Sequence, residues 1–312
     1  MNDQNAPLPR TFADRLRAGR FLMTAEVAPP VSCNAQDLLR KATPLRGLAD
    51  AVNLTDGASA RAHMAALAAA AILLEAGIEP ILQITCRDKN RIALQSELMG
   101  AAALGIRNVM VLTGDDPKAG DQPDTKPVFD IDSRTLLETA RRLRDDGKLP
   151  TGREVAGKAA FFLGAADMPI DPPADWQPNA LRAKLAAGAE FVQTQFCMDT
   201  ALVRRYTGVL AQAGVTQKLA ILIGINPLRS AKSAQWMKSH LFGTIIPDAL
   251  IARMEKAADP AREGIRICVD LIEELATIPG VAGVHIMAPG NDAAIPEVIA
   301  EAKSRVQKAA AI

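Results

Sequence analysis

A glutamate inside an otherwise apolar run is the first residue of this 312-residue chain that chemistry explains better than packing. Glu26 stands in Thr24-Ala25-Glu26-Val27-Ala28-Pro29-Pro30. A buried carboxylate is costly unless it is paired or used, and burial favours the protonated form that a general acid needs near neutral pH. An interior Arg or Lys facing it is the alternative. A second acid, Asp115, follows Leu112-Thr113-Gly114, where the glycine allows close backbone approach. Thr55, Gln83 and Thr85 are small hydrogen-bonding groups, suited to holding a planar heterocycle or to satisfying a turn. Gln193 and Gln195 alternate along one strand and so share a face, where a buried strand normally carries Val or Ile. Asn226, in Gly224-Ile225-Asn226-Pro227, adds another polar turn. One acid in a strand, one in a loop, and a set of amides and hydroxyls suit a polar heterocyclic ligand and proton transfer.

Such groups need a scaffold, and the apolar pattern says which. Eight short runs rich in Val, Ile, Leu and Thr occur at 21–27, 49–55, 80–85, 107–113, 159–164, 190–195, 219–224 and 282–287. They are continuously apolar, as strands buried on both faces of a parallel sheet are. Helical patterns fill the gaps at 35–45, 60–76, 91–105, 133–146, 179–187, 199–213, 231–239 with 248–254, and 261–276, and 292–311 makes an extra C-terminal helix. Repeated β-then-α alternation predicts an α/β fold, a TIM (β/α)8 barrel. It forms a single catalytic domain over 16–312 after a flexible N-terminal segment over 1–15. A doubly wound sheet is the rival, but no Gly-x-Gly-x-x-Gly follows the first run. In a barrel the C-terminal strand ends carry the chemistry. Every candidate above falls at such an end.

Composition removes other functions. Lys and Arg number 36 against 35 Asp and Glu, a net charge of +1, so no basic face is offered to nucleic acid or to an anionic membrane. The longest apolar stretch, 65–74, is shorter than the roughly 20 residues a bilayer requires. The N-terminus lacks the basic-then-apolar order of a signal peptide. Cys33, Cys86, Cys197 and Cys268 lie far apart, without metal-site spacing, so no metal is expected and a reducing cytoplasm is the simplest setting. His63 (on a helix), His240 and His285 are isolated and are read as core or surface residues rather than metal ligands. With 49% hydrophobic but only 4% aromatic residues, Ala, Leu, Ile and Val must fill the core.

From about residue 21 to residue 289 the chain resembles the methylenetetrahydrofolate reductases, flavoprotein TIM barrels. The matching segments come in order at successive strand ends: Ala-Glu-Val-Ala-Pro-Pro around Glu26, Asn-Leu-Thr-Asp-Gly around Thr55, Gln-Ile-Thr-Cys from Gln83, Leu-Thr-Gly-Asp from Leu112, and Thr-Gln-Phe-Cys-Met-Asp from Thr194. The resemblance implies interconversion of methylene- and methyl-tetrahydrofolate through bound FAD, with NADH or NADPH as electron donor. It implies Glu26 as general acid for opening the imidazolidine ring and Asp115 as the carboxylate between flavin and folate. Gln195, with Gln193 and Asn226, would meet the folate. Thr55, Gln83, Thr85, Leu112, Thr113, Gly114 and Asp115 would meet the flavin, and Lys184 its phosphates or ribose.

The chain departs from the family pattern at four places. Val27-Ala28 stands where an aromatic-rich segment is usual, Thr113 replaces an Arg, Gln83 replaces a His, and no aromatic residue stands near Ala231. These departures keep other readings open. One is a folate-binding subunit served by a separate electron-transfer partner protein. Others are the same enzyme oxidising methyl-tetrahydrofolate in demethylation, or a methyl transferase without redox. A homo-oligomer is expected.

Overall fold

The computed structural model describes residues 11–309, with side chains as far as Val306. Eight parallel strands close on themselves in sequence order: β1 Leu22–Val27, β2 Ala51–Leu54, β3 Pro80–Thr85, β4 Asn108–Leu112, β5 Phe162–Asp167, β6 Phe191–Phe196, β7 Ala220–Ile225 and β8 Val281–Ile286. β1 pairs with β2 and with β8, which completes the ring. The helices between them are α2 Ala35–Ala42, α3 Ala66–Glu75, α4 Arg91–Ala103, α5 Ser133–Asp146, α6 Asn179–Ala187, α7 Thr200–Gln212, α8 Ala231–His240, α9 Asp248–Glu255 and α10 Pro260–Leu275. The C-terminal helix, α11 Ile295–Ala309, packs on α10. This is the TIM barrel that the sequence predicts.

Local chemistry sets the helix ends. Asn90 and Asp132 accept backbone N–H groups at the starts of α4 and α5, and Gly147 ends α5 in the left-handed region. Outward-facing strand residues such as Val52, Leu82, Val109, Val192 and Ile223 join the helices in one large core. Inward-facing ones, including Leu22, Ile81, Met110, Phe162, Phe191 and Leu222, fill the lower barrel. Gly164 makes room there, because a Cβ on it would lie 2.2 Å from Phe191 Cζ.

The bottom of the barrel is plugged by a helix the sequence pattern does not announce, α1 Phe12–Arg17. Phe12 is fully buried, and its ring meets Phe162 and Phe191 edge-on at 5.8 and 5.4 Å. Its N–H donates to Glu79, and Arg15 pairs with Asp50 at 2.9 Å. The segment 1–15 is expected to be flexible, yet from Thr11 onward it is packed structure; residues 1–10 lie outside those described. Six residues are too few to display helical periodicity, so the signal was only a lone Phe. Two smaller differences bear on the site. β5 begins three residues later than the run at 159–164, and α3 begins at Ala66, which leaves His63 in a connection rather than on a helix. Among the described residues no helix is long and apolar enough to cross a membrane.

Candidate active site

Two layers of polar side chains cap the barrel's apolar filling. The lower one is sealed. Gln193 on β6 donates to Thr24 Oγ1 on β1 at 3.0 Å and exchanges two amide hydrogen bonds with Asn53 on β2, at 2.5 and 3.1 Å. Thr24 Oγ1 lies 3.0 Å from His285 Nδ1 on β8 and donates to Val284 O at 3.2 Å. All four side chains are at most 2% exposed. The direction of the Thr24–His285 hydrogen bond follows the imidazole tautomer. Nε2 faces Glu26, whose Oε2 is 3.6 Å away.

Glu26 and Gln195 stand two residues beyond Thr24 and Gln193 on their strands, about 6.6 Å further up at 3.3 Å per residue. They therefore belong to the next layer, at the mouth. Both are partly exposed. The partner of Glu26 is a histidine, not the interior Arg or Lys considered as the alternative. Gln195 Nε2 donates to Phe242 O at 3.2 Å, and its Oε1 accepts from Phe196 N at 2.9 Å. Asn226, at the end of β7, is buried and donates to Met287 O at 2.7 Å.

The ends of β2, β3 and β4 form the other side of the mouth. Asp56 accepts from both Thr85 N and Thr85 Oγ1 and pairs with Lys89 at 2.9 Å, tying the β2 loop to β3. Arg87, 3% exposed, grips Asp88 with two donors and Gly57 O with a third. Hydrogen bonding to Asp88 raises its already high pKa, with further support from the charges of Asp56 and Asp115. Gly114 packs so tightly that a Cβ would lie 2.9 Å from Arg87 Cβ and 3.2 Å from Thr85 Cβ. Asp115 projects beyond it, exposed. Thr55 Oγ1 is buried with no partner among the described residues.

Beside this mouth, between the ends of β4 and β5 and helices α5 and α6, lies a cavity of about 580 Å3. Leu112, Thr113 and Lys184 line it, together with Asp167, Trp176 and Tyr206. Glu26, Asp115 and Gln195 are not in its walls, and neither are Thr55, Gln83 and Thr85. Lys184 Nζ donates to Ala166 O at 2.6 Å and lies 3.4 Å from Asp167, so its charge is already partly spent. The Tyr206 hydroxyl donates to Asp167, and burial followed by that carboxylate pushes its pKa upward.

The chain's similarity to known proteins can be set on this geometry. The sequence profile described as Methylenetetrahydrofolate reductase matches residues 11–303. The chain belongs to the methylenetetrahydrofolate reductase family. Curated relatives include the "Probable methylenetetrahydrofolate reductase (NADPH)" of Caenorhabditis elegans, 25% identical over 74% of this chain and 33% of that protein. "Methylenetetrahydrofolate reductase 2" of Schizosaccharomyces pombe is 26% identical over 64% of this chain and 31% of that protein. The chain thus spans about a third of the length of these relatives. Among solved structures it is similar to DmoA from Hyphomicrobium sulfonivorans, with TM-score 0.57 and 13% identity over 93% of this chain and 89% of that one. EDTA monooxygenase (EmoA) from Chelativorans sp. BNC1 gives 0.54 and 13% over 93% and 94%. At that identity the likeness concerns the fold alone.

Several site residues escaped the sequence reading. His285 is a core residue, as its isolation in the sequence implies, but nothing in the sequence places it beside Glu26, and Thr24 and Asn53 are given no role of their own there. Strand alternation carried the signal, since Thr24 and Asn53 share the faces of Glu26 and Thr55. Asp167 was hidden because the fifth run was placed three residues early. Near Ala231, where no aromatic residue was noted, the structure has Trp236 on α8 and Phe242 just after it, 53% and 83% exposed.

Proposed function

We propose that this barrel is a flavin-dependent methylenetetrahydrofolate reductase, interconverting 5,10-methylenetetrahydrofolate and 5-methyltetrahydrofolate with NADH or NADPH as electron donor. The observation that carries the reading is Glu26, at the mouth with its Oε2 3.6 Å from His285 Nε2 and in one layer with Gln195. The residues present fit a flavin. Thr55 Oγ1 is buried and lacks a partner among the described residues, and the 580 Å3 cavity adjoins Leu112 and Thr113. Thr55, Gln83, Thr85, Leu112, Thr113 and Gly114 would hold its ring system. Lys184 would meet its phosphates or ribose once freed from Asp167.

FAD, when bound, supplies the hydride-carrying chemistry that amino-acid side chains lack. The chain supplies the rest. Gln195 and Asp115 orient the pterin, and Glu26 holds the proton that passes to N10 of the substrate as the imidazolidine ring opens. The sealed layer beneath excludes water from that side.

The test is a visible absorption spectrum of the purified protein, before and after anaerobic addition of 5-methyltetrahydrofolate. A flavin band that bleaches is expected. Protein that contains no flavin, and gains none on reconstitution, overturns the cofactor. A flavin band indifferent to the folate overturns the substrate. Glu26→Gln is expected to lower folate turnover by about 10²–10⁴-fold while leaving reduction of the flavin by the donor in place.

A further inference from the structure

A line of charges runs from helix α4 to the mouth of the barrel. Lys89, in the connection from β3 to α4, places its Nζ 2.6 Å from Glu97 Oε2 on α4 and 2.9 Å from Asp56 Oδ2, just past the end of β2. The lysine side chain is 24% exposed and each acid 12%. The same Oδ2 accepts from Thr85 N at 2.9 Å and from Thr85 Oγ1 at 3.0 Å, so one carboxylate oxygen collects three donors. Thr85 is the last residue of β3 and shares the inward face of Ile81 and Gln83. An ionised carboxylate only accepts hydrogen bonds. The single hydroxyl hydrogen of Thr85 is therefore spent on Asp56, and its oxygen can offer a ligand lone pairs alone. Asp56 also directly follows Thr55, whose buried hydroxyl has no partner among the described residues. Fastening a loop does not call for buried charge, since well-packed apolar residues often hold as well or better.

We propose that Lys89 is a positioning residue which, through Asp56, fixes Thr85 as a hydrogen-bond acceptor at the mouth and sets the charge that a bound flavin meets there. The inference rests on the flavin reading above. Asp56, Lys89 and Glu97 together carry a net charge of −1. In Lys89→Met, Glu97 takes up a proton, because burial already raises its pKa, and Asp56 is left beside the ring site without its counter-charge. In Glu97→Gln, Lys89 and Asp56 remain paired and the cluster is neutral. Two-electron reduction of a flavin adds negative charge, so a bare carboxylate nearby disfavours the reduced form and a neutralised one favours it. Removing Lys89 and removing Glu97 thus act in opposite directions on the flavin, although each weakens the same structural tie.

The experiment compares wild type with Lys89→Met, Lys89→Arg, Glu97→Gln and, as a control, Lys303→Met, which removes a cation lying 4.0 Å from Asp50 at the start of β2. Two quantities are read: the midpoint potential of the bound flavin, by dye equilibration, and hydrogen exchange at Thr85 N–H in flavin-free protein. Lys89→Met is expected to lower the midpoint by about 30 mV, a tenfold change in a two-electron equilibrium, and to speed exchange at Thr85. Lys89→Arg restores both. Glu97→Gln raises the midpoint, and Lys303→Met moves neither quantity. A midpoint that shifts the same way in Lys89→Met and Glu97→Gln, or holds in both while Tm falls, reduces the cluster to scaffold and overturns the proposal. Unchanged exchange at Thr85 in Lys89→Met overturns the link through Asp56. Wild type that takes up no flavin removes the cofactor reading and the charge half of this inference, and the exchange data then decide the positioning half alone.

Discussion

Replacing Gln193 with leucine separates two roles for the same amide: contact with a bound folate, and closure of the sealed layer beneath it. Gln193 is 2% exposed, and all three of its recorded hydrogen bonds go to Asn53 and Thr24. Thr24 keeps Val284 O and His285 when Gln193 is lost, so it remains satisfied. Asn53 does not, since its only other contact is a long one to Met110 Sδ at 3.6 Å. One amide donor and one acceptor are thus stranded at 0% exposure. Each unsatisfied buried group costs about 1–3 kcal/mol. Allowing for the favourable burial of leucine, Gln193→Leu should destabilise by about 2–4 kcal/mol. At roughly 2 °C per kcal/mol for a chain of this size, Tm falls by about 4–8 °C. The assay is thermal unfolding of wild type, Gln193→Leu, Asn53→Leu and the double variant. Removing both partners together is far cheaper than stranding one, so the double variant should recover at least about 1 kcal/mol relative to the sum of the singles. Folate KM should move less than about threefold, in proportion to a loss that is structural. A tenfold KM increase with unchanged Tm would refute the reasoning and return Gln193 to the ligand.

Other consequences are open to direct measurement. Gly164→Ala places a methyl 2.2 Å from Phe191 Cζ, inside a ring cluster closed by Phe12 and Phe162; overpacking of this kind costs about 1–3 kcal/mol, and a lowered urea midpoint should report it. Burial pushes the thiols of Cys86 and Cys197 to about 11 and about 12 and that of Cys268 upward as well, whereas Cys33 is exposed. A thiol reagent at pH 8 should therefore label one cysteine in the native protein and four after denaturation. Hydrogen bonds from the Arg91 side chain and backbone hold Asp130 at about 2, below its ordinary 3.8. A folded value below the unfolded one means the pair stabilises above pH 3.8 and that this support fades as pH falls toward 2. Carboxyl NMR titration of Arg91→Ala should show Asp130 moving back toward 3.8, and an unmoved Asp130 would assign the shift to another partner.

How far the sequence reveals the molecule depends on the range over which each signal acts. Strands buried on both faces are apolar over their whole length, so the runs at 80–85 and 107–113 mark β3 and β4 to within a residue. Helices with a polar N-cap and a terminal glycine, such as α5 between Asp132 and Gly147, are bounded by local chemistry alone. What stays hidden is long-range. Nothing near Phe12 in sequence says that it will meet Phe162 and Phe191 across the bottom of the barrel, and nothing near His285 places Glu26, 259 positions earlier, beside it. Glu26 was legible because an acid in an apolar strand needs a reason, whichever partner provides it. Thr24 and Asn53 were not, because a threonine or asparagine in a strand is cheap to explain locally. Their importance appears only when closure of the barrel sets β1, β2, β6 and β8 facing one another.

The same closure explains why the residues at the ends of β2 and β4 are small. Arg87 is nearly inaccessible, and its guanidinium sits where a side chain on Gly57 would be, with Nη2 2.2 Å from the position of that Cβ. Its own Cβ is what a side chain on Gly114 would strike. Its carbonyl accepts Val128 N at 2.7 Å, fastening the return of the long loop that begins at Asp115. One buried cation therefore locks the ends of β2, β3 and β4 together, and both glycines follow from its bulk. A buried guanidinium is tolerable only when its charge is met. Asp88 meets it directly, and Asp56 and Asp115 add to the surrounding negative charge. The exposed acid of the Leu-Thr-Gly-Asp motif thus has an electrostatic tie to the scaffold as well as a place at the mouth. Substituting Asp115 by Asn would remove that tie while preserving shape, so any loss of function in this variant has to be separated from a loosened loop. Hydrogen exchange at Val128 N–H does so: protection that survives in Asp115→Asn assigns the loss to chemistry, and protection that vanishes assigns it to the loop.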